Sequence, residues 1–206
     1  TILAAMLGQI GLPGGGIGFG YGATNTVGLE RAFPRFQALP QGHNKVKTFI
    51  PVARITDLLE NPGGSFDYNG KTYTYPDTKL IWWAGGNPFH HHQDLNRLRR
   101  AWAGPETVIV NEWCWNSLAQ HADIILPCTT PLERNDITLS PRDPYLVMMD
   151  KVVEPAGHAR DDYNIFRGIA NHLGIEEKYT EGRSAEEWII WLYDASRQSA
   201  ARANVQ

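Results

Sequence analysis

What the sequence has little of sets its first limits. Cysteine occurs twice in 206 residues, as Cys114 and Cys128. Two thiols without CxxC spacing cannot hold an iron–sulfur cluster or a four-thiolate zinc site. Both flank apolar runs, so each reads as a buried free thiol. A basic excess is also missing. The formal net charge is -3, and phosphate-backbone binding needs a positive surface, so nucleic acid is not an expected partner. No apolar run approaches the roughly 20 residues that cross a bilayer. Lys45, Lys47, Arg97, Arg99 and Arg100 are too scattered for a membrane patch. Neither HxxxH nor HExxH occurs, and no nucleophile stands at a recognisable spacing from a base, so hydrolase chemistry has no support. The chain opens at Thr1 on an apolar helical pattern (Ile2, Leu3, Met6, Leu7, Ile10), with neither methionine nor a charged leader before it. The expectation from that start is an internal piece of a longer protein.

What is present is a globular composition, 42% apolar and 20% charged, enough for one good-sized core or a core plus an appended segment. The stretch from Leu80 to Pro127 organises the rest. An apolar run (Leu80 to Ala84) meets Gly85-Gly86-Asn87-Pro88, and His90, His91 and His92 follow. Gln93 to Trp102 reads as a helix with Leu95, Leu98 and Trp102 on one face. Thr107 to Val110 is apolar on both faces, as a buried parallel strand is. Asn116 to His121 is a turn or two of helix, and Asp123 to Leu126 is the next strand. Strand, glycine turn, helix, strand is the pattern of an α/β unit that binds its ligand at the carboxyl ends of parallel strands. The predicted fold is therefore α/β: an open, mostly parallel sheet flanked by helices, Rossmann-like, with an irregular N-terminal segment and a C-terminal helix.

Around that unit the signals are weaker. Residues 2–10 read as a helix stopped by Gly11. GLPGGGIGFGYG is either a backbone loop pressed against a phosphate or cofactor, or a tight irregular turn. Its GxGxxG-like fragment lacks the preceding strand that a dinucleotide fingerprint requires. Residues 23–50 carry no period. Ala53 to Glu60 is a short helix, and Phe66 to Pro76 is a hairpin about Asn69-Gly70. It is an edge decoration or lines a ligand entrance. Tyr145 to Val153 reads as a strand, and Asp161 to Leu173 as a helix capped by Asp161 or Asp162 and stopped by Gly174. Ser184 to Ser196 is a final helix opened by a Ser184–Glu187 capping box, and the tail beyond Arg197 is frayed. The expected segments are 1–78 (a connecting, cofactor-covering segment), 79–175 (the α/β dinucleotide-binding domain) and 176–206 (the C-terminal helix and tail).

The candidate chemistry sits at strand ends. The glycines of GGNP let a backbone approach something planar or anionic, and Asn87 offers an amide there. A satisfied turn explains the four residues equally well. Asn111-Glu112, directly after the next strand, tips the reading towards a nucleotide crevice, because an acidic residue there can bind a ribose diol or a guanine edge. Three consecutive histidines cannot easily aim at one ion, so they read as hydrogen-bond partners of a phosphate or carbonyl group. Glu133, Arg134 and Asp136 form either a solvated loop or a set of groups closing on the same ligand.

AGGNPFHHHQDLNRLRRAW, then ETVIVNEWCWNSLAQHADIILP, then TTPLERNDI together resemble the molybdopterin oxidoreductases of the dimethyl sulfoxide reductase family, in the branch without an iron–sulfur cluster. That branch holds the trimethylamine-N-oxide, dimethyl sulfoxide and biotin sulfoxide reductases. MLGQIGLPGGGIGFGYG is similar to the segment preceding that region, and the likeness covers most of residues 1–175. It implies a bis-(molybdopterin guanine dinucleotide) molybdenum cofactor, one dinucleotide of which lies across the strand ends of this domain. The positions implied to bind it are Gly86, Asn87 and Pro88 in the turn, His91 and Gln93 after it, Asn111 and Glu112, Arg134, and Asp162. Asn87 and the glycines would meet the diphosphate or pterin, and the carboxylates guanine or ribose. The implied reaction is oxygen-atom transfer from a small S- or N-oxide, with electrons from a donor protein. The segment bearing the serine ligand of molybdenum, and the domain that closes the pterin cleft, are not recognisable in this sequence. The remaining domains of a longer enzyme are thus implied partners, and the chain alone is expected to be inactive. The implied compartment is the periplasm, with the cytoplasm as the alternative. Outside the resemblance, the rival readings are a free-standing α/β nucleotide-binding module and, more weakly, a zinc hydrolase built on His90 to His92.

Overall fold

The structure is a computed structural model that describes residues 2–17, 36–139 and 145–202. In chain order its elements are α1 (Ile2–Met6), α2 (Ile55–Glu60), β1 (Ser65–Tyr68), β2 (Lys71–Thr74), β3 (Leu80–Ala84), α3 (Pro88–His91), α4 (Leu95–Ala101), β4 (Thr107–Glu112), β5 (Ile124–Pro127), β6 (Asp136–Leu139), β7 (Leu146–Met149), α5 (Asp162–His172), α6 (Glu176–Thr180) and α7 (Ala185–Arg202). They group into two compact units, each discontinuous in sequence. One comprises residues 1–37, 137–148 and 192–206, and the other residues 38–136 and 149–191.

The larger unit holds the sheet. β3, β4 and β5 are parallel and ordered β3-β4-β5, with Ala84 beside Asn111 and Glu112 beside Pro127. This is the predicted parallel α/β arrangement. The two faces of β4 go to different helices. Val108 and Val110, at 3% and 0% exposure, pack with Phe89, Leu98, Trp102 and Leu118 as the main core. On the opposite face the Trp82 ring lies 5.3 Å from Phe166 of α5. Alternation along a strand thus sends Glu112 towards the α4 side and Asn111 towards α5. β4 also runs two residues further than the apolar run implied, so Asn111-Glu112 ends the strand rather than following it. Backbone pairing carries it there: Asn111 registers with Ala84 and Leu126, and the Cys128 N–H donates to the Glu112 carbonyl at 3.1 Å.

Local chemistry explains most boundaries. Asn69 (φ 48) and Gly70 (φ 73) turn the β1–β2 hairpin in the left-handed conformation that a type I′ turn requires. Its aromatic rows stack, Phe66 on Tyr75 at 4.4 Å and on Tyr73 at 5.5 Å. α4 starts at Leu95 rather than Gln93, because Asp94 at φ 46 caps it by accepting the Arg97 N–H. Arg97 then reaches α2, binding Glu60 and Asp57 at 2.6 Å. Asp161 caps α5, accepting the Asn164 N–H at 2.9 Å. Gly174 (φ 69) ends it, with the Ile175 N–H closing back on Ala170. The Ser184–Glu187 box opens α7, with bonds of 2.7 and 3.2 Å. Three elements have no counterpart in the sequence reading: α3, α6 and β6.

In the smaller unit α1 stops at Met6, short of the expected Ile10. Gly8 (φ 63) closes it, with Gly8 N–H bonded to Ala5 and Gln9 N–H to Ala4. The glycine run to Gly16 folds back on Gln9. A Cβ on Gly15 would meet the Gln9 carbonyl at 3.0 Å, so that part is a tight turn. The GIGFGYG fragment from Gly18 onward, and the expected irregular segment as far as residue 35, lie outside the described residues. α7 continues helically to Arg202, where a frayed tail from Arg197 was expected.

Candidate functional site

Three of the predicted residues, Asn111, Glu112 and Asp162, gather where the parallel strands end and α5 begins. The floor is Asn111, at 4% exposure. Its Oδ1 accepts the Trp82 indole N–H at 3.0 Å, and its Nδ2 donates to the Asp162 carboxylate at 2.7 Å. Residues 29 and 51 positions away are thereby tied to one amide, and Asp162, in the first turn of α5, is aimed by it. Asn111 is a positioning group as it stands.

Glu112 is different. It is 7% exposed, and among the described residues its carboxylate accepts no hydrogen bond and makes no ion pair. Among the described residues the buried side-chain polar atoms without a partner are the Tyr75 and Thr129 hydroxyl oxygens, so the Glu112 carboxylate keeps contact with water. The neighbouring thiol registers the charge. Burial first, then the carboxylates of Asp162 and Glu112, push Cys128 up to about 11. Cys128 is half-buried, whereas Cys114 is exposed, contrary to the expectation that both would be buried. β4 ends at Glu112, and the Trp113-Cys114-Trp115 segment turns out into solvent, with its indoles 66% and 71% exposed.

At the neighbouring strand end the turn is built by conformation rather than crowding. Gly85 (φ +81) and Gly86 (φ +72) are both left-handed, and a Cβ on either would meet nothing within 4 Å. The space over this backbone is open. Asn87 is buried and used twice: its Oδ1 caps α3 by accepting the Phe89 N–H at 2.9 Å, and its Nδ2 donates to Ser117 Oγ at 3.3 Å. Pro88 is fully buried at the first position of α3, so it shapes the turn from inside the protein. His90 Nε2 lies 3.4 Å from the same Ser117 hydroxyl, and His121, bonded through Nδ1 to the Ser117 carbonyl, stacks on Phe89 at 4.3 Å. Ser117 and Trp82 were not identified from sequence. Only their hydrogen bonds to Asn87 and Asn111 single them out.

His91 and Gln93 are exposed and make no side-chain hydrogen bond among the described residues. His92 sits edge-on to Trp83 at 6.2 Å, and burial, with His91 beside it, lowers its pKa. Arg134 is engaged: its guanidinium donates to Asp136 at 3.1 Å and to the Thr129 carbonyl at 3.0 Å. Glu133 is engaged too. It closes a capping box on Thr130 at 2.7 Å and accepts the Ala156 N–H at 2.7 Å, and these donors hold its carboxyl below the usual range. The loop from 129 to 136 is therefore self-tied.

The arrangement divides into held groups and free ones. Asn111, Asn87 and Arg134 have protein partners, and the Gly85 carbonyl accepts the Trp83 indole N–H at 2.8 Å, while the side chains of Glu112, His91 and Gln93 have none among the described residues. A free carboxylate acceptor at the strand end next to an open glycine turn suits a ligand that carries N–H or O–H donors at one end and needs close backbone approach at the other.

The family model described as molybdopterin oxidoreductase matches residues 1–172. A biotin sulfoxide reductase from Cereibacter sphaeroides is 46% identical over 200 residues, covering 97% of this chain and 27% of the relative. A dimethyl sulfoxide/trimethylamine N-oxide reductase of the same organism is 46% identical over 98% of this chain and 26% of its own length. A trimethylamine-N-oxide reductase from Haemophilus influenzae is 47% identical, with 98% and 26% covered. The chain spans about a quarter of the length of these curated relatives.

Proposed function

The chain belongs to the molybdopterin oxidoreductase family, and we propose that its strand-end crevice holds one molybdopterin guanine dinucleotide within an enzyme that reduces S- or N-oxides. The observation that carries this reading is the carboxylate of Glu112, without a protein partner and in contact with water on a residue only 7% exposed, at the strand end next to the open Gly85-Gly86 turn. A nucleotide end supplies the donors that this carboxylate lacks, and the glycines leave room for its phosphates.

When bound, such a cofactor supplies two-electron oxygen-atom transfer, and the protein supplies binding and orientation. In this chain Glu112 accepts from the base or ribose, and Asp162, aimed by Asn111 and through it by Trp82, accepts beside it. Asn87 and Ser117 hold the turn that keeps Gly85 and Gly86 open. His91 and Gln93 are free to reach a phosphate or carbonyl. Arg134 contributes whichever N–H bonds Asp136 and Thr129 leave unused. The relatives' lengths support a larger assembly, in which other domains supply the metal ligand, the substrate funnel and the contact for an electron donor.

The test is direct. Guanosine diphosphate titrated calorimetrically into the purified chain should bind, and Glu112→Gln should weaken it. A hydrogen bond to a charged acceptor contributes about 1.5–3 kcal/mol, or roughly 10- to 100-fold in affinity. Equal affinity in the two proteins refutes the assignment of Glu112.

A further inference from the structure

The indole of Trp113 follows Glu112 directly, is 66% exposed, and touches no other ring among the described residues. It forms one wall of a cavity of about 300 Å³, whose other walls include Pro127, Cys128, Leu132 and Val153. That lining is mainly apolar, yet it adjoins the charged crevice. The Cys128 backbone is bonded to Glu112 at 3.1 Å, and its thiol responds to the charges of Glu112, Asp162 and Arg134. One cavity therefore has an aromatic wall and an apolar floor, with Glu133 also in its lining and Glu112 one backbone bond away through Cys128. Trp115 is equally exposed but does not line this cavity, which separates the two indoles.

We infer that Trp113 is a stacking residue for the nucleobase of the dinucleotide, receiving the base in the cavity it shares with Cys128 and Leu132. This rests on the dinucleotide reading and adds the group that recognises the flat face of the base, where Glu112 and Asp162 recognise donors on its edge or sugar. An exposed indole loses water on stacking, and every base has a π-face to offer it.

The experiment uses the whole chain as parent, Trp113→Phe and Trp113→Leu, titrated with guanosine diphosphate and separately with inorganic pyrophosphate. Guanosine diphosphate should quench parent tryptophan emission. Trp113→Leu should lose about tenfold or more in affinity for it, the range of one base–aromatic stack, and Trp113→Phe should keep most of it. Pyrophosphate, which has no base, should bind all three alike. The leucine variant should melt with the parent, because the ring is exposed, so a loss of binding is not a loss of fold. Parent-like guanosine diphosphate affinity in Trp113→Leu overturns this inference while leaving the dinucleotide reading intact, and marks the indole as a contact for other parts of the protein. A parent chain that binds pyrophosphate but not guanosine diphosphate overturns both.

Discussion

Replacing Asn111 with alanine removes an amide that joins β3, β4 and α5. Its bond from the Trp82 indole, 3.0 Å long, is neutral and contributes about 1 kcal/mol, while its bond to the Asp162 carboxylate, at 2.7 Å, has a charged acceptor and contributes about 2. The Asn111 side chain is 4% exposed, so water replaces the Trp82 bond poorly, but Asp162 is exposed and regains water, and the expected loss is about 1–2 kcal/mol. For a chain of this size each kcal/mol moves the melting temperature by about 2–4 °C. Asn111→Ala should accordingly melt about 2–8 °C below the parent. Asn111→Asp sharpens the test. It keeps an acceptor for Trp82 but sets a second carboxylate against Asp162, and two such groups cannot both ionise comfortably. The pair's folded pKa is then raised, so the variant is worst at neutral pH and recovers as pH falls and one proton is shared. Urea titrations followed by far-ultraviolet circular dichroism, at neutral and mildly acidic pH, measure both. An Asn111→Ala within about 0.5 kcal/mol of the parent, or an Asn111→Asp that weakens on acidification, would refute the claim that this amide positions Asp162.

The two cysteines should separate by alkylation and peptide mass mapping: exposed Cys114 is modified at neutral pH, while Cys128, with a thiol near 11, stays unmodified until strongly alkaline conditions. Glu112→Gln removes a charge that raises the Cys128 thiol, so Cys128 should alkylate faster in that variant, and an unchanged rate would contradict the proximity of the two. Glu133 tests the loop. Its folded pKa is depressed by the Thr130 and Ala156 donors, so its contribution is present above the unfolded value of about 4.3 and lost as pH falls through the folded one. Glu133→Gln should therefore be less stable than the parent at neutral pH, with the gap closing in acid. Parallel melting curves across the whole pH range would count against the capping box.

Local signals were legible where one residue type does one physical job. Asn69-Gly70 marked the hairpin because few other pairs accept two left-handed residues in succession. The β-branched run at Thr107 to Val110 marked a strand buried on both faces, and Asp161 and Gly174 marked the ends of α5. The Thr130–Glu133 box is written in the sequence too, as T-x-x-E with proline at the first position, but the charge of the loop left a solvated loop and a ligand contact both open. Long-range pairing was not legible. Nothing in the spacing of Trp82, Asn111 and Asp162 says that they share one amide, because sheet register and helix docking decide it. The exposure of Cys114 was hidden for the same reason: the apolar run before it implied continued burial, whereas β4 ends at Glu112 and the chain turns outward.

The same separation of held and free groups predicts how substitutions should sort. A side chain that already has protein partners, such as Asn87, Asn111 or Arg134, is missed by the folded state whether or not a ligand is present. The Glu112 carboxylate has no protein partner and keeps contact with water, so its replacement by glutamine should leave the fold about as stable while binding falls. Exposed Trp113, His91 and Gln93 should be nearly silent in stability and visible only in binding. Residues whose substitution lowers affinity without lowering melting temperature should therefore cluster on the open side of the crevice, at Glu112 and Trp113, whereas a side chain at left-handed Gly85 or Gly86 should lower both. The other positions that lower both should lie beneath it, on the chain of contacts from Trp82 through Asn111 to Asp162.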